Sequence, residues 1–204
     1  MRISGHRRSA GGFACVLGAL GLALGPGAVA GGASATRLAP SGLAYSTAPA
    51  GTVQRQPPAG SCHAKGTGLT QLPDRGCTPG AANPAVTQST IAGTICRRGW
   101  TATVRPPESV TEPEKLASLR AYAESGASRY EYDHLVPLEL GGAVNDPRNL
   151  WPEPDYARRE GFYLNPKDRV ETKLKQLVCS GQITLAAAQR QIAADWVAAL
   201  ARYG

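Results

Sequence analysis

The chain has 204 residues, 42% of them hydrophobic, with 24 Gly and 16 Pro. That is long enough for one ordinary domain and too apolar for a chain disordered throughout. Its 22 Lys and Arg against 15 Asp and Glu give a formal charge of +7, which leans toward an anionic partner. No run of 18 apolar residues occurs beyond the N-terminus, so no membrane-spanning helix is expected there.

Residues 1–30 read as a signal peptide. Arg2, Arg7 and Arg8 form a basic start, Phe13–Ala23 is apolar and broken by glycine, and Ala28-Val29-Ala30 is a small-x-small site with cleavage expected after Ala30. Removing it takes away three Arg and no acid, leaving 19 basic against 15 acidic residues, a charge of +4. It also takes away Cys15 and leaves Cys62, Cys77, Cys96 and Cys179. An even count in an exported chain predicts disulfides. Four cysteines allow three pairings. Cys62–Cys77 and Cys96–Cys179 are favoured: the first closes a short loop in a region with little else to hold it, and the second ties the start of the folded region to a later helix. Zinc is disfavoured because no C-x-x-C pair occurs.

Residues 31–60 are mostly Ala, Gly, Ser, Thr and Pro without apolar periodicity and read as a flexible, disordered linker. Residues 61–95 form a cysteine-containing N-terminal extension with turn signals at Leu72-Pro73-Asp74 and Cys77-Thr78-Pro79-Gly80. The folded domain is expected over 96–204. Thr94-Ile95-Cys96 and Trp100–Val104 alternate and are β-branched, which predicts short strands. Thr111-Glu112-Pro113-Glu114 is a capping box that opens a helix to about Glu124, with Gly126 as its stop. Tyr130–Val136 and Asn149-Leu150-Trp151 read as strands separated by turns at Gly141-Gly142 and Asn145-Asp146-Pro147. A helix follows over Pro166–Cys179, with Asn165 placed to cap it and Pro166 at its first position. A last helix from Leu185 to Ala201, capped by Thr184, carries Leu185, Ala188, Ile192, Trp196 and Leu200 as an apolar stripe. Trp100, Trp151 and Trp196 are expected in the core.

One segment carries chemistry. Glu131-Tyr132-Asp133-His134 puts a carboxylate and an imidazole side by side at a strand end, with Glu131 on the face of Asp133. This segment continues as DHLVPLELGG (133–142), followed by NDPRNLWPEP (145–154) and NPKDRVETKL (165–174). Together they resemble the HNH nucleases, whose core is the ββα-metal fold. The stretches CTPG, TIC-x-x-GW-x-x-x-VRPP and VCSGQITLAAAQRQIAADW on either side resemble a group of small exported bacterial proteins of HNH type. The resemblance spans about 77–201, and its nuclease core about 129–179. It implies an α+β fold with a ββα-metal core and flanking helices.

The resemblance also implies roles. His134 matches the general base that takes a proton from the attacking water, and its ordinary pKa suits that task. Asn149 matches the middle residue of the catalytic set, which braces the loop and orients the histidine. Asp133 matches the metal-binding acid, and Asn165 is the candidate second ligand. The segment 153–164 before it is longer than in typical members, so Asp168 and Glu171 stand as alternatives. Such oxygen ligands suit Mg²⁺ or Mn²⁺. Arg158, Arg159, Lys167, Arg169 and Lys173 lie on or near the helix and are the candidate phosphate contacts. Lys167–Glu171 and Glu171–Lys175 also read as ordinary helix-surface pairs. The expectation is a secreted endonuclease acting on DNA, with RNA not excluded and little sequence preference. The alternative is a non-catalytic module that binds nucleic acid or protein on the same scaffold.

Overall fold

The computed structural model of the protein describes residues 36–155 and 165–204; the expected signal peptide, Arg158 and Arg159 lie outside the described residues. The elements in chain order are β1 (Ala44–Tyr45), β2 (Ala81–Ala82), α1 (Trp100–Val104), α2 (Glu108–Ala121), β3 (Tyr130–His134), β4 (Leu150–Pro154), α3 (Pro166–Cys179), α4 (Leu185–Ala194) and α5 (Trp196–Tyr203), with short 3₁₀ turns between them. This mixture of helices and two small sheets is an α+β architecture. Residues 35–204 form one compact unit.

The sheet that matters is an antiparallel pair. β3 and β4 run with Tyr130 opposite Pro154, Glu131 opposite Glu153, Asp133 opposite Trp151 and His134 opposite Leu150. The expected strands are present: β3 starts at Tyr130 as expected and ends two residues early, and β4 starts one residue later and ends three residues later than expected. β1 and β2 pair in parallel, and Ala82 bridges to Gly142. The 141–142 turn needs both glycines. Gly141 has φ of 69° against Val86, and a Cβ on Gly142 would fall 1.7 Å from the Val136 carbonyl oxygen.

α3 matches its expected limits. Val170, Leu174 and Val178 recur at helical spacing and are fully buried with Val136, Leu140, Leu185, Ile192 and Trp196 in the main core. A second cluster gathers Cys62, Ala121, Tyr122 and Trp151. All three tryptophans are buried, as expected of core residues. Both expected disulfides are formed, Cys62–Cys77 and Cys96–Cys179.

Five expectations are corrected. Trp100–Val104 is a helical turn, not a strand: Trp100 and Val104, four apart, both reach the main core, and that packing outweighs β-branched propensity. Thr94-Ile95-Cys96 is a turn closed by the Cys96 amide donating to the Ile91 carbonyl. α2 begins at Glu108, not Thr111, with Pro113 inside it, because Val110, Glu114 and Ser118 are buried at helical spacing. The last helix is two: Asp195 leaves helical geometry at φ −167° and ψ 96°, and its carboxylate accepts from the Ala198 amide to cap α5, while Thr184 caps α4 as expected. Residues 36–60 depart from a disordered linker. They have no apolar pattern of their own, but their backbone is gripped by the domain. Asn145 donates to the carbonyls of Pro49 and Thr52, and Glu114 accepts from the Gln54 amide.

Candidate active site

β3 delivers Asp133 and His134 to a cleft of about 240 Å³ lined also by Arg105, Glu139, Asp168, Glu171 and Thr172. His134 is only 6% exposed, yet it is among the residues that line the cleft. Its Nε2 lies 2.9 Å from the Val144 carbonyl oxygen. A carbonyl can only accept, so Nε2 carries the proton and Nδ1 keeps its lone pair. Burial holds the imidazole pKa below its ordinary value of 6.5, against the pull of the Asp133 carboxylate in the opposite direction. The neutral ring is therefore the resting form near pH 7.

Asn149 does not reach the cleft chemistry; its amide is spent on backbone. Oδ1 accepts from the amides of Val136 at 3.0 Å and Ala81 at 3.3 Å, and Nδ2 donates to the carbonyls of Val136 and Ala143, each at 3.0 Å. It ties both ends of the 135–149 loop together. That loop carries Val144, whose carbonyl oxygen meets the His134 ring.

The acidic side of the site is larger than the sequence suggested. Glu131 and Asp133 share a strand face, and the register sets Glu153 opposite Glu131. One oxygen from each of the three lies within 4.8 Å of the others. Glu153 was missed because only strand pairing places it there. Asn165 stands at the N-cap position of α3 with Pro166 at the first helical position, as expected, but its side chain makes no cap hydrogen bond. Its Nδ2 donates to Glu131 Oε1 at 2.8 Å and, more weakly, to the Pro154 carbonyl at 3.4 Å. Its Oδ1 is buried without a hydrogen-bond partner, as are both carboxylate oxygens of Glu153. Asp133 and Asn165 thus belong to one cluster, joined through Glu131.

Lys167 is the main correction. Expected on a solvated face as a phosphate contact, it is 1% exposed. Its Nζ donates to Asp133 Oδ2, Glu171 Oε1 and the His134 carbonyl, and lies 3.6 Å from Glu153 Oε2. Burial works to strip its proton, but Asp133, Glu171 and Glu153 outweigh that and hold its pKa well above the ordinary value. The same ammonium, opposing the effect of burial, keeps the Asp133 pKa low. Glu171 and Glu153 are raised by burial despite that ammonium, and Glu131 is raised by burial and by Asp133 to about 7. One ammonium faces four carboxyls, so the cluster must retain protons or accept a further cation.

Of the remaining candidates, Asp168 lines the cleft, its pKa raised by burial and then by Asp133. Arg169 and Lys173 are exposed on α3 and border a neighbouring groove. Lys175 pairs with Glu139 at 3.3 Å rather than with Glu171.

Comparison of the chain with protein-family models, with curated proteins and with solved structures gives no match.

Proposed function

We propose that the protein is an exported, metal-dependent phosphodiester hydrolase of HNH type acting on nucleic acid. The observation that carries the reading is the His134 Nε2 bond to the Val144 carbonyl, beside Asp133 at a cleft wall. It leaves Nδ1 with its lone pair as the candidate base and holds the ring in one tautomer. The chain order of two antiparallel strands followed by a helix, with Asp133 and His134 at the end of one strand and Asn165 just before the helix, is what the resemblance leads one to expect. Two disulfides, and no helix among the described residues long and apolar enough to cross a membrane, accord with an oxidising compartment.

The donor set fits a hard divalent cation. Glu153 and Asn165 hold buried oxygens without hydrogen-bond partners next to Asp133 and Glu131, and all are hard ligands. Asp133 and Asn165 would hold Mg²⁺ or Mn²⁺, with Glu153 at hand. When bound, the ion supplies Lewis-acid stabilisation of the phosphate and leaving oxygen. His134 Nδ1 takes the proton of the attacking water, and the Val144 carbonyl steadies the imidazolium that forms. Arg105 is the cleft cation nearest to hand for a phosphate oxygen. The carboxylates of the cleft otherwise repel an anionic substrate, which is a further reason for a bound cation in this reading.

Lys167 favours a second reading. Its ammonium already satisfies Asp133, so the scaffold could bind nucleic acid without cutting it. One assay decides. Purified, oxidised protein is incubated with plasmid, linear DNA or RNA in Mg²⁺, Mn²⁺ or EDTA, beside His134→Ala. The hydrolase reading expects metal-dependent nicking, abolished by EDTA and lowered roughly 10²–10⁴-fold by the substitution while the fold persists. Retention of DNA without cutting in any metal establishes the binder instead.

A further inference from the structure

α3 presents Asp168, Arg169, Thr172, Lys173 and Gln176 along its outer side, and these residues face Tyr203 near the end of α5 across a groove of about 460 Å³. The groove adjoins the active-site cleft, and Asp168 and Thr172 line both. The sign of charge changes along this path. The cleft sets Asp133, Glu139, Asp168 and Glu171 against Arg105, whereas the groove sets Arg169 and Lys173 against Asp168 alone. The Tyr203 ring is half-buried at the groove, packed in part against the main core, with the Arg202 guanidinium 5.1 Å from its centroid.

We propose that this groove binds an unpaired stretch of nucleic-acid strand next to the phosphate held in the cleft, with Arg169 and Lys173 neutralising its phosphates and Tyr203 stacking on one base. The inference rests on the hydrolase reading for what occupies the cleft, but its own evidence is the groove. Cations and an aromatic ring together form the usual platform for single strands. A base offers its flat face to a side chain only when it is out of a duplex, because paired bases present edges alone. Arg169 and Lys173, four apart on one helix, sit about 6 Å from each other along the axis, close to the spacing of neighbouring phosphates on an extended strand.

The test reads binding by fluorescence anisotropy in EDTA, where no cleavage interferes, with a labelled single-stranded DNA, the matching RNA and the matching duplex across a salt series. The single strand is expected to bind at least tenfold more tightly than the duplex. Tyr203→Ala is expected to weaken single-strand binding about 5- to 150-fold and Tyr203→Phe to restore it. Arg169→Gln with Lys173→Gln is expected to shallow the slope of log K against log salt by about 1.4, two contacts at roughly 0.7 each. The DNA and RNA arms show which strand is preferred. Equal affinity for duplex and single strand, a neutral Tyr203→Ala, or an unchanged salt slope overturns the groove, as does absence of binding by the unsubstituted protein. Cleavage that persists with a neutral groove overturns this inference alone; groove-dependent binding without cleavage in any metal overturns the hydrolase reading alone.

Discussion

At residue 167 a lysine is shut away with Asp133, Glu153 and Glu171, and the physics of buried ion networks sets what its removal does. Deleting one partner of such a network leaves charges without compensation, which costs about 3–5 kcal/mol. Lys167→Met is therefore expected to lower the urea unfolding free energy by that amount, whereas the exposed Lys173→Met changes it by less than about 0.5 kcal/mol. A neutral effect of Lys167→Met would show that the ammonium is not held as described. The sequence places both lysines on one amphipathic helix, Lys167 with Glu171 four residues on and Lys173 with Arg169 four residues back, and that spacing reads as an ordinary surface pair rather than a buried cluster. Glu114 makes the same point with the opposite sign. Burial raises its carboxyl pKa above the ordinary 4.5, although the Gln54 amide and Asn145 pull it down. A carboxyl with a raised folded pKa makes the native state the better proton binder. Its stabilising contribution is then present below pH 4.5 and lost as pH rises through the folded value. Glu114→Gln keeps the acceptor for Gln54 and removes this loss. The variant is expected to melt above the unsubstituted protein at pH 7, with the gap closing toward pH 4. A gap that does not change with pH would contradict the shift.

α2 ends in a way that a substitution can improve. Its last turn closes with the Glu124 amide donating to the Leu119 carbonyl and the Ala123 amide to Arg120, which puts Ala123 in the left-handed region at φ 54°. A Cβ costs roughly 1–2 kcal/mol in that conformation, partly offset by the greater freedom of glycine in the unfolded chain. Ala123→Gly is expected to stabilise the protein by about 0.5–1 kcal/mol in chemical denaturation, and destabilisation would mean that the turn is not strained. Local signals carried several elements: Pro166 opening α3, Thr184 capping α4, and the alternation through Tyr130–His134. They failed where a residue type supported two structures. Asp195 inside an apolar periodic run reads as an exposed helix residue until its carboxylate caps the Ala198 amide. Asn165 holds the cap position, but its Nδ2 donates to Glu131, 34 residues away, and its Oδ1 takes no cap bond. Asp195 finds its partner three residues on, whereas that of Asn165 comes from another element.

Across the whole molecule the two disulfides do different work. Cys62–Cys77 spans 15 residues beside Tyr122 and Trp151, and Cys96–Cys179 spans 83 and anchors the turn before α1 to the end of α3. Chain-entropy arguments assign them about 3 and 4–5 kcal/mol. Replacing both cysteines of the second pair with Ser is expected to lower the melting temperature more than the same change in the first pair; the reverse order in calorimetry would mean that native-state packing, not loop length, governs. Composition, period and turn chemistry led to the main helices and strands, the core tryptophans and an acid beside a histidine at a strand end, while an even cysteine count in an exported chain led to two disulfides. Most of these depend on local contacts or on simple burial; the Cys96–Cys179 bridge, 83 residues apart, was favoured among three pairings. Three features were decided by tertiary structure: Glu153 joining Asp133, Lys167 entering the carboxylate cluster, and the Val144 carbonyl setting the histidine tautomer. Each depends on groups from different elements meeting in a space closed to water. There the strength of a charge or hydrogen bond is set by what surrounds it, and a linear order of residues does not contain that surrounding.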